Sequence, residues 1–151
     1  MLQKDIEKVL IFIAEKLNNA KINWLLIGSS NLALQGVPLE PNDVDISVGI
    51  SDYNKIKNIF NKYKTLSGTT LKNKEAEEVT YLIKGVKVHF CFEYDHGFFN
   101  KFLKNNDKLK IKIGSVDIFC NSLVGEIEAY THLDRKEKAE SISKFLKTEI
   151  K

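Results

Sequence analysis

The sequence predicts an α/β (α+β) domain in which helices pack on a mixed β-sheet of about five to six strands. Two observations carry this. Apolar residues alternate between helical and strand spacing over the first sixty residues, in the order helix–strand–helix–strand–helix. Two hairpin patterns then follow before the chain returns to helix. At 151 residues the length suits one domain, read as 1–151, with a core over 1–120 and C-terminal helices over 121–151.

Each element has its own signal. Leu2, Ile6, Val9, Leu10, Ile13 and Leu17 share one face of an opening amphipathic helix. The apolar run from Ile22 to Ile27 reads as a buried strand that stops at Gly28. Ser29 or Ser30 is expected to cap a short helix over Asn31 to Gln35, with Gly36 ending it. Both prolines, Pro38 and Pro41, fall in the following loop and make it rigid before a second strand begins at Asp43. Ser51 is expected to cap a helix that turns Ile56, Ile59, Phe60 and Tyr63 inward. Val79 to Ile83, a Lys84-Gly85 turn and Val86 to Phe92 make the first hairpin. Ile111 to Ile113 and Val116 to Phe119 flank Gly114-Ser115 in the second. Leu123, Val124, Ile127 and Tyr130 form one late helical stripe, and Ile142, Phe145 and Leu146 another. Asp134 with Glu137 reads as a capping box opening the last helix.

The chemistry is concentrated in Asp43-Val44-Asp45-Ile46. Residues two apart on a strand share a face, so Asp43 and Asp45 project together while Val44 and Ile46 face the core. Two carboxylates held that close repel unless a cation lies between them. Oxygen ligands suit a hard ion, and Mg²⁺ is commonly held by one or two carboxylates plus substrate phosphates. Upstream, the small residues Gly28, Ser29 and Ser30 stand where a strand turns into a helix, a place that offers backbone N–H groups to an anion.

Gly28-Ser29, thirteen further residues and Asp43-x-Asp45, all in apolar surroundings, resemble the signature of the nucleotidyltransferase superfamily with the DNA polymerase beta type fold. The similarity is to its small stand-alone prokaryotic members, in which Gly-Ser-Ser-x-Leu-Ala-Leu-x-Gly leads to Asp-Ile-Asp-Ile. It is close over residues 22–48. The resemblance implies a nucleotidyltransferase fold and Mg²⁺-dependent (or Mn²⁺-dependent) transfer of a nucleoside monophosphate from an NTP to an acceptor hydroxyl. Asp43 and Asp45 would hold the metal, and Gly28, Ser29 and Ser30 would contact the nucleotide's phosphates.

The superfamily also places a third carboxylate in a later strand, and here the sequence departs from it. Along Val86 to Glu93, the even positions face the core and Lys87, His89, Cys91 and Glu93 face the other way. The position flanked by Val88 and Phe90 is His89. Three readings stand: His89 is a working ligand or base, Glu93 supplies the carboxylate instead (with Asp95 a weaker candidate), or the chemistry is weakened. In the last case the chain would be a nucleotide-binding or antitoxin-like module acting through a protein partner.

Composition narrows the rest. No apolar run approaches the roughly 18 residues of a membrane span, and Lys4, Asp5, Glu7 and Lys8 break up any signal-peptide pattern, so a cytoplasmic protein is expected. Cys91 and Cys120 have no metal-binding spacing and read as reduced thiols. The net charge is +3, with Arg135 the one arginine, too mild to imply nucleic acid. Lys101, Lys104, Lys108, Lys110 and Lys112 interleave with Phe98, Phe99 and Phe102, which reads as a solvated helix face before it reads as an RNA-binding lip. His96 and His132 read as surface histidines. About a hundred residues beyond the motif leave no room for a polynucleotide-handling domain, so a small-molecule or protein acceptor is favoured over nucleic acid. The terminal helices would supply an acceptor cleft or a homodimer surface.

Overall fold

A computed structural model describes residues 2–70, 76–105 and 108–150. Within them the chain runs α1 (Lys4–Asn19), β1 (Trp24–Ile27), α2 (Gly28–Leu34), β2 (Asp43–Gly49), α3 (Tyr53–Ile59), β3 (Lys64–Thr70), β4 (Ala76–Ile83), β5 (Val86–Glu93), α4 (Asn100–Lys104), β6 (Leu109–Ile113), β7 (Val116–Cys120), α5 (Leu123–His132) and α6 (Lys136–Ile150). The strands form one seven-stranded mixed sheet in the order β3-β4-β5-β2-β1-β7-β6. β2 pairs with β5 in parallel and β1 with β7 in parallel, and every other pairing is antiparallel.

Alternation on the central strands decides which face becomes core. Val44, Ile46 and Val48 of β2, with Val88, Phe90 and Phe92 of β5, are fully buried on one face. There they meet the apolar stripe of α1 (Val9, Leu10, Ile13, Leu17), together with Ile56 and Phe60. Phe60, Tyr81 and Phe90 interlock, with ring centroids 5.4 to 5.9 Å apart. Trp24 Nε1 donates to Asn18 Oδ1 at 2.8 Å, and Asn18 Nδ2 donates to the Asp117 carbonyl at 3.0 Å, fixing the end of α1 to the sheet. A second apolar cluster (Leu32, Val37, Leu123, Tyr130, Ala139, Ile142) joins α2 to the C-terminal helices.

The strand count is seven rather than five to six, because Lys64–Thr70 adds an edge strand that sequence reasoning did not expect. Three expected caps are not made. α2 starts at Gly28 after Ile27, and Ser30 lies inside it, buried. Ser51 sits in a 3-10 turn (Ile50–Asp52), leaving Asp52 before α3 without a side-chain cap. Asp134 adopts φ +59°, its N–H bonds back to the Thr131 carbonyl, and it therefore closes α5 instead of opening α6. The α5 stripe is also rotated. Leu123 and Tyr130 are buried, but Val124 is 68% exposed and the buried partner in the first turn is Glu126.

Candidate active site

The face of the sheet opposite the α1 core carries the polar residues. From β2 come Asp43, Asp45 and Ser47, and from β5 His89, Cys91 and Glu93; parallel pairing sets Asp45 beside His89 and Ser47 beside Cys91. β4 adds Glu78 opposite Cys91 and Thr80 opposite His89. One ligand atom each of Asp43, Asp45 and His89 lie within 4.8 Å of one another. His89 Nε2 is 3.2 Å from Asp43 Oδ2, and the Thr80 hydroxyl is 2.6 Å from His89 Nδ1. The structure thus brings together His89 and both aspartates. Glu93 lies four residues further along β5, 2% exposed, where it accepts a hydrogen bond from Ser47 Oγ at 3.0 Å. Asp95 lies beyond the strand and is exposed.

Gly28 shapes the site from the neighbouring turn. Its φ of +74° favours glycine, and a Cβ there would lie 2.5 Å from Asp45 Oδ2. The space that glycine leaves is therefore filled by the Asp45 carboxylate. Ser30 Oγ donates to the Asp43 carbonyl, so α2 holds the start of β2 through this serine. Ser29 remains half-buried at the turn.

A cavity of about 320 Å³ opens beside this cluster, bounded by Gly28, Asp45, Glu78 and Glu93 on the sheet side. Across it stand Phe99 and Phe102, and one face of α5 that presents Glu126, Ala129 and Tyr130 at helical spacing, with Leu133 just past its end. Glu126 is 2% exposed. Its Oε1 accepts from Asn31 Nδ2 at 2.9 Å and from the Gly28 N–H at 3.3 Å. Asn31 also donates to the Asn121 carbonyl at 2.8 Å and accepts from Gln35 Nε2 at 2.7 Å, tying α2 to the end of β7 and, through Glu126, to α5.

Burial dominates the electrostatics. It raises the Asp45 carboxyl to about 7, helped by Asp43 and opposed by His89. It raises Glu126 to about 7 as well, against the pull of the hydrogen bonds from Asn31 and Gly28. Burial, Glu93, Asp45 and Glu78 push the Cys91 thiol well up, which keeps it protonated and non-nucleophilic. A carboxyl raised on folding lowers stability as pH climbs from its unfolded value near 4 through its folded value. Glu126→Gln is therefore expected to stabilise the protein at pH 8 by roughly 2 kcal/mol, the gain vanishing toward pH 4. Thermal melts across that range check it.

Residues 9–140 match the aminoglycoside-2''-adenylyltransferase family. The chain belongs to this family. Among solved structures, a candidate nucleotidyltransferase from Thermotoga maritima is 28% identical, with a TM-score of 0.74 over 98% of this chain and 96% of that one. The lincosamide antibiotic adenylyltransferase LnuA, solved with lincomycin, is 14% identical, with a TM-score of 0.60 over 93% of this chain and 98% of that one. ANT(2'')-Ia, solved with adenylyl-2''-tobramycin, is 11% identical, with a TM-score of 0.58 over 99% and 100% of the two chains. The last two likenesses concern the fold. No curated protein matches the sequence.

Membership in the adenylyltransferase family agrees with the resemblance carried by Gly28-Ser29 and Asp43-x-Asp45. Sequence reasoning did not single out Glu78, Thr80 or Glu126. Each lies in a segment where a polar residue reads as a solvent face, and only the return of α5 over the sheet encloses Glu126. The lysine–phenylalanine segment is engaged within the chain. Lys101 pairs with Glu128 and lies over Phe98, 4.1 Å from its ring centroid; Lys112 pairs with Asp117, and Lys108 donates to Asn23. Phe98 stacks on His132 with centroids 3.8 Å apart. No helix among the described residues is long and apolar enough to cross a membrane.

Proposed function

We propose that the protein transfers an adenylyl group from ATP, as its divalent-metal complex, to a hydroxyl of a small molecule seated in the cavity beside Asp45. The observation that carries this is the convergence of Asp43, Asp45 and His89, with Asp45 also lining the cavity of about 320 Å³. The two aspartates fit Mg²⁺ or Mn²⁺, His89 adds a nitrogen donor beside them, and a bound ion would neutralise the triphosphate and stabilise the leaving pyrophosphate.

The chain's own residues supply position. Asp43 and Asp45 would hold the ion, and Ser29 lies at the turn that the triphosphate would approach. The acceptor oxygen forms its bond to the α-phosphorus while the bond to pyrophosphate breaks in line. Its proton passes to a carboxylate bordering the cavity, and Glu93 suits the task because Ser47 holds it in place. Asp45, Glu78, Glu93 and Glu126 around one cavity, between aromatic walls, favour an acceptor that carries amines as well as hydroxyls. At about 320 Å³ the cavity has the size for a small molecule, which favours such an acceptor over a polynucleotide.

The test is transfer of label from α-³²P-ATP to a panel of hydroxylated amines with Mg²⁺ or Mn²⁺. Label should appear on an acceptor with matching pyrophosphate, and Glu93→Gln should cut release by about 100-fold while nucleotide binding survives. A second reading, a nucleotide-binding module without transfer, is favoured by His89 in the place of a third carboxylate. Tight metal–ATP binding with no pyrophosphate release across the panel would support it.

A further inference from the structure

We propose that Thr80 is a positioning residue for His89, and that the two together tune the Asp43–Asp45 site toward an Mn²⁺-type ion in preference to Mg²⁺. The inference rests on the metal-dependent reading of that site and adds which ion it takes and which residue decides this.

Thr80 lies directly opposite His89 in the β4–β5 register and is 4% exposed. Its hydroxyl, 2.6 Å from Nδ1, anchors one side of the ring and turns Nε2 toward the carboxylates, 3.2 Å from Asp43 Oδ2. Turning the ring over would break the shorter bond and withdraw Nε2 from the cluster. A hydroxyl both donates and accepts, so Thr80 serves either neutral tautomer. When Nε2–H donates to Asp43, Nδ1 accepts from the Thr80 hydroxyl. When Nε2 offers its lone pair to an ion, the proton resides on Nδ1 and is donated to Thr80 Oγ1. No net charge changes in the exchange. Valine at this position would satisfy neither form.

The donor set then sets the selectivity. Mg²⁺ demands octahedral oxygen ligands and gains little from imidazole, whereas Mn²⁺ accepts carboxylate oxygen and the first-row metals accept imidazole. Partners that orient a metal-bound histidine typically contribute 10–100-fold to affinity.

Mn²⁺ alone, titrated into the whole protein and followed by electron paramagnetic resonance with Mg²⁺ as competitor, tests this. Wild type should bind Mn²⁺ at least about 10-fold more tightly than Mg²⁺, with spin-echo modulation from a coupled ¹⁴N. Thr80→Val should weaken Mn²⁺ binding by about 10-fold or more, and Thr80→Ser should restore most of it. His89→Asp should abolish the nitrogen coupling and move the preference toward Mg²⁺. Metal-free thermal melts of the two Thr80 variants establish that each remains folded. Equal affinity of wild type for the two ions, or an unchanged Mn²⁺ affinity in Thr80→Val, overturns the inference and leaves the Asp43–Asp45 site standing. Failure of wild type to bind either ion removes that site as well.

Discussion

Asp45→Asn is expected to melt at a higher temperature than wild type at pH 8, without metal, and, on the function proposed above, to lose adenylyl transfer. Both effects come from one cause. Asp45 is half-buried beside Asp43, and its carboxyl is raised to about 7 chiefly by desolvation, with Asp43 adding to the rise. Above this pH the folded state holds an ionised carboxylate that the unfolded chain would solvate, so stability falls as pH rises from near 4 through about 7. The amide removes that burden, and a gain of roughly 1–3 kcal/mol is expected at pH 8, shrinking toward pH 4. On the proposed metal reading the same substitution would also take away an anionic ligand, so metal–nucleotide affinity should fall by at least about 100-fold. Calorimetry of unfolding and of nucleotide binding on one preparation reads both. A destabilised Asp45→Asn with undiminished binding would show that Asp45 is a structural carboxylate.

Gly28→Ala is the second large effect, and its cause lies in the structure rather than the motif. The left-handed φ of +74° penalises any side chain by about 1–2 kcal/mol, and the new Cβ would fall 2.5 Å from Asp45 Oδ2. Stability should drop by about 2–3 kcal/mol as the carboxylate is displaced. A glycine that only made room for phosphate would leave binding of the bare ion intact. A glycine that makes room for Asp45 would not. Mn²⁺ titration without nucleotide separates the two, and the geometry predicts at least a 10-fold loss.

The legible part of the molecule is the part that local pattern controls. Val44, Ile46 and Val48 alternating with Asp43, Asp45 and Ser47 give β2 its two faces, and Val88, Phe90 and Phe92 do the same for β5. That alternation places His89, Cys91 and Glu93 on the polar face, and parallel pairing with β2 does the rest. The edge strand β3 was not legible, since Lys64 to Thr70 holds a glycine and mostly polar residues and pairs only with β4. The serine caps misled because Gly28 sets the start of α2 by its backbone, leaving Ser30 free to reach Asp43. Glu126 was invisible for a different reason. A glutamate on an amphipathic helix normally points to water, and here it is enclosed by Asn31 and Gly28, nearly a hundred residues earlier in the chain. The importance of Thr80 likewise depends on its register with His89, since threonine in a strand is ordinary on its own.

If Asp43, Asp45 and His89 hold nucleotide through a shared divalent ion, as proposed, binding must require that ion. Calorimetric titration of wild type with α,β-methylene-ATP, which cannot release pyrophosphate, tests it without knowledge of the acceptor. With Mn²⁺ present, saturable one-to-one binding is expected, and chelation of the metal should abolish it. Equal affinity with and without the metal would show that no shared ion holds the nucleotide.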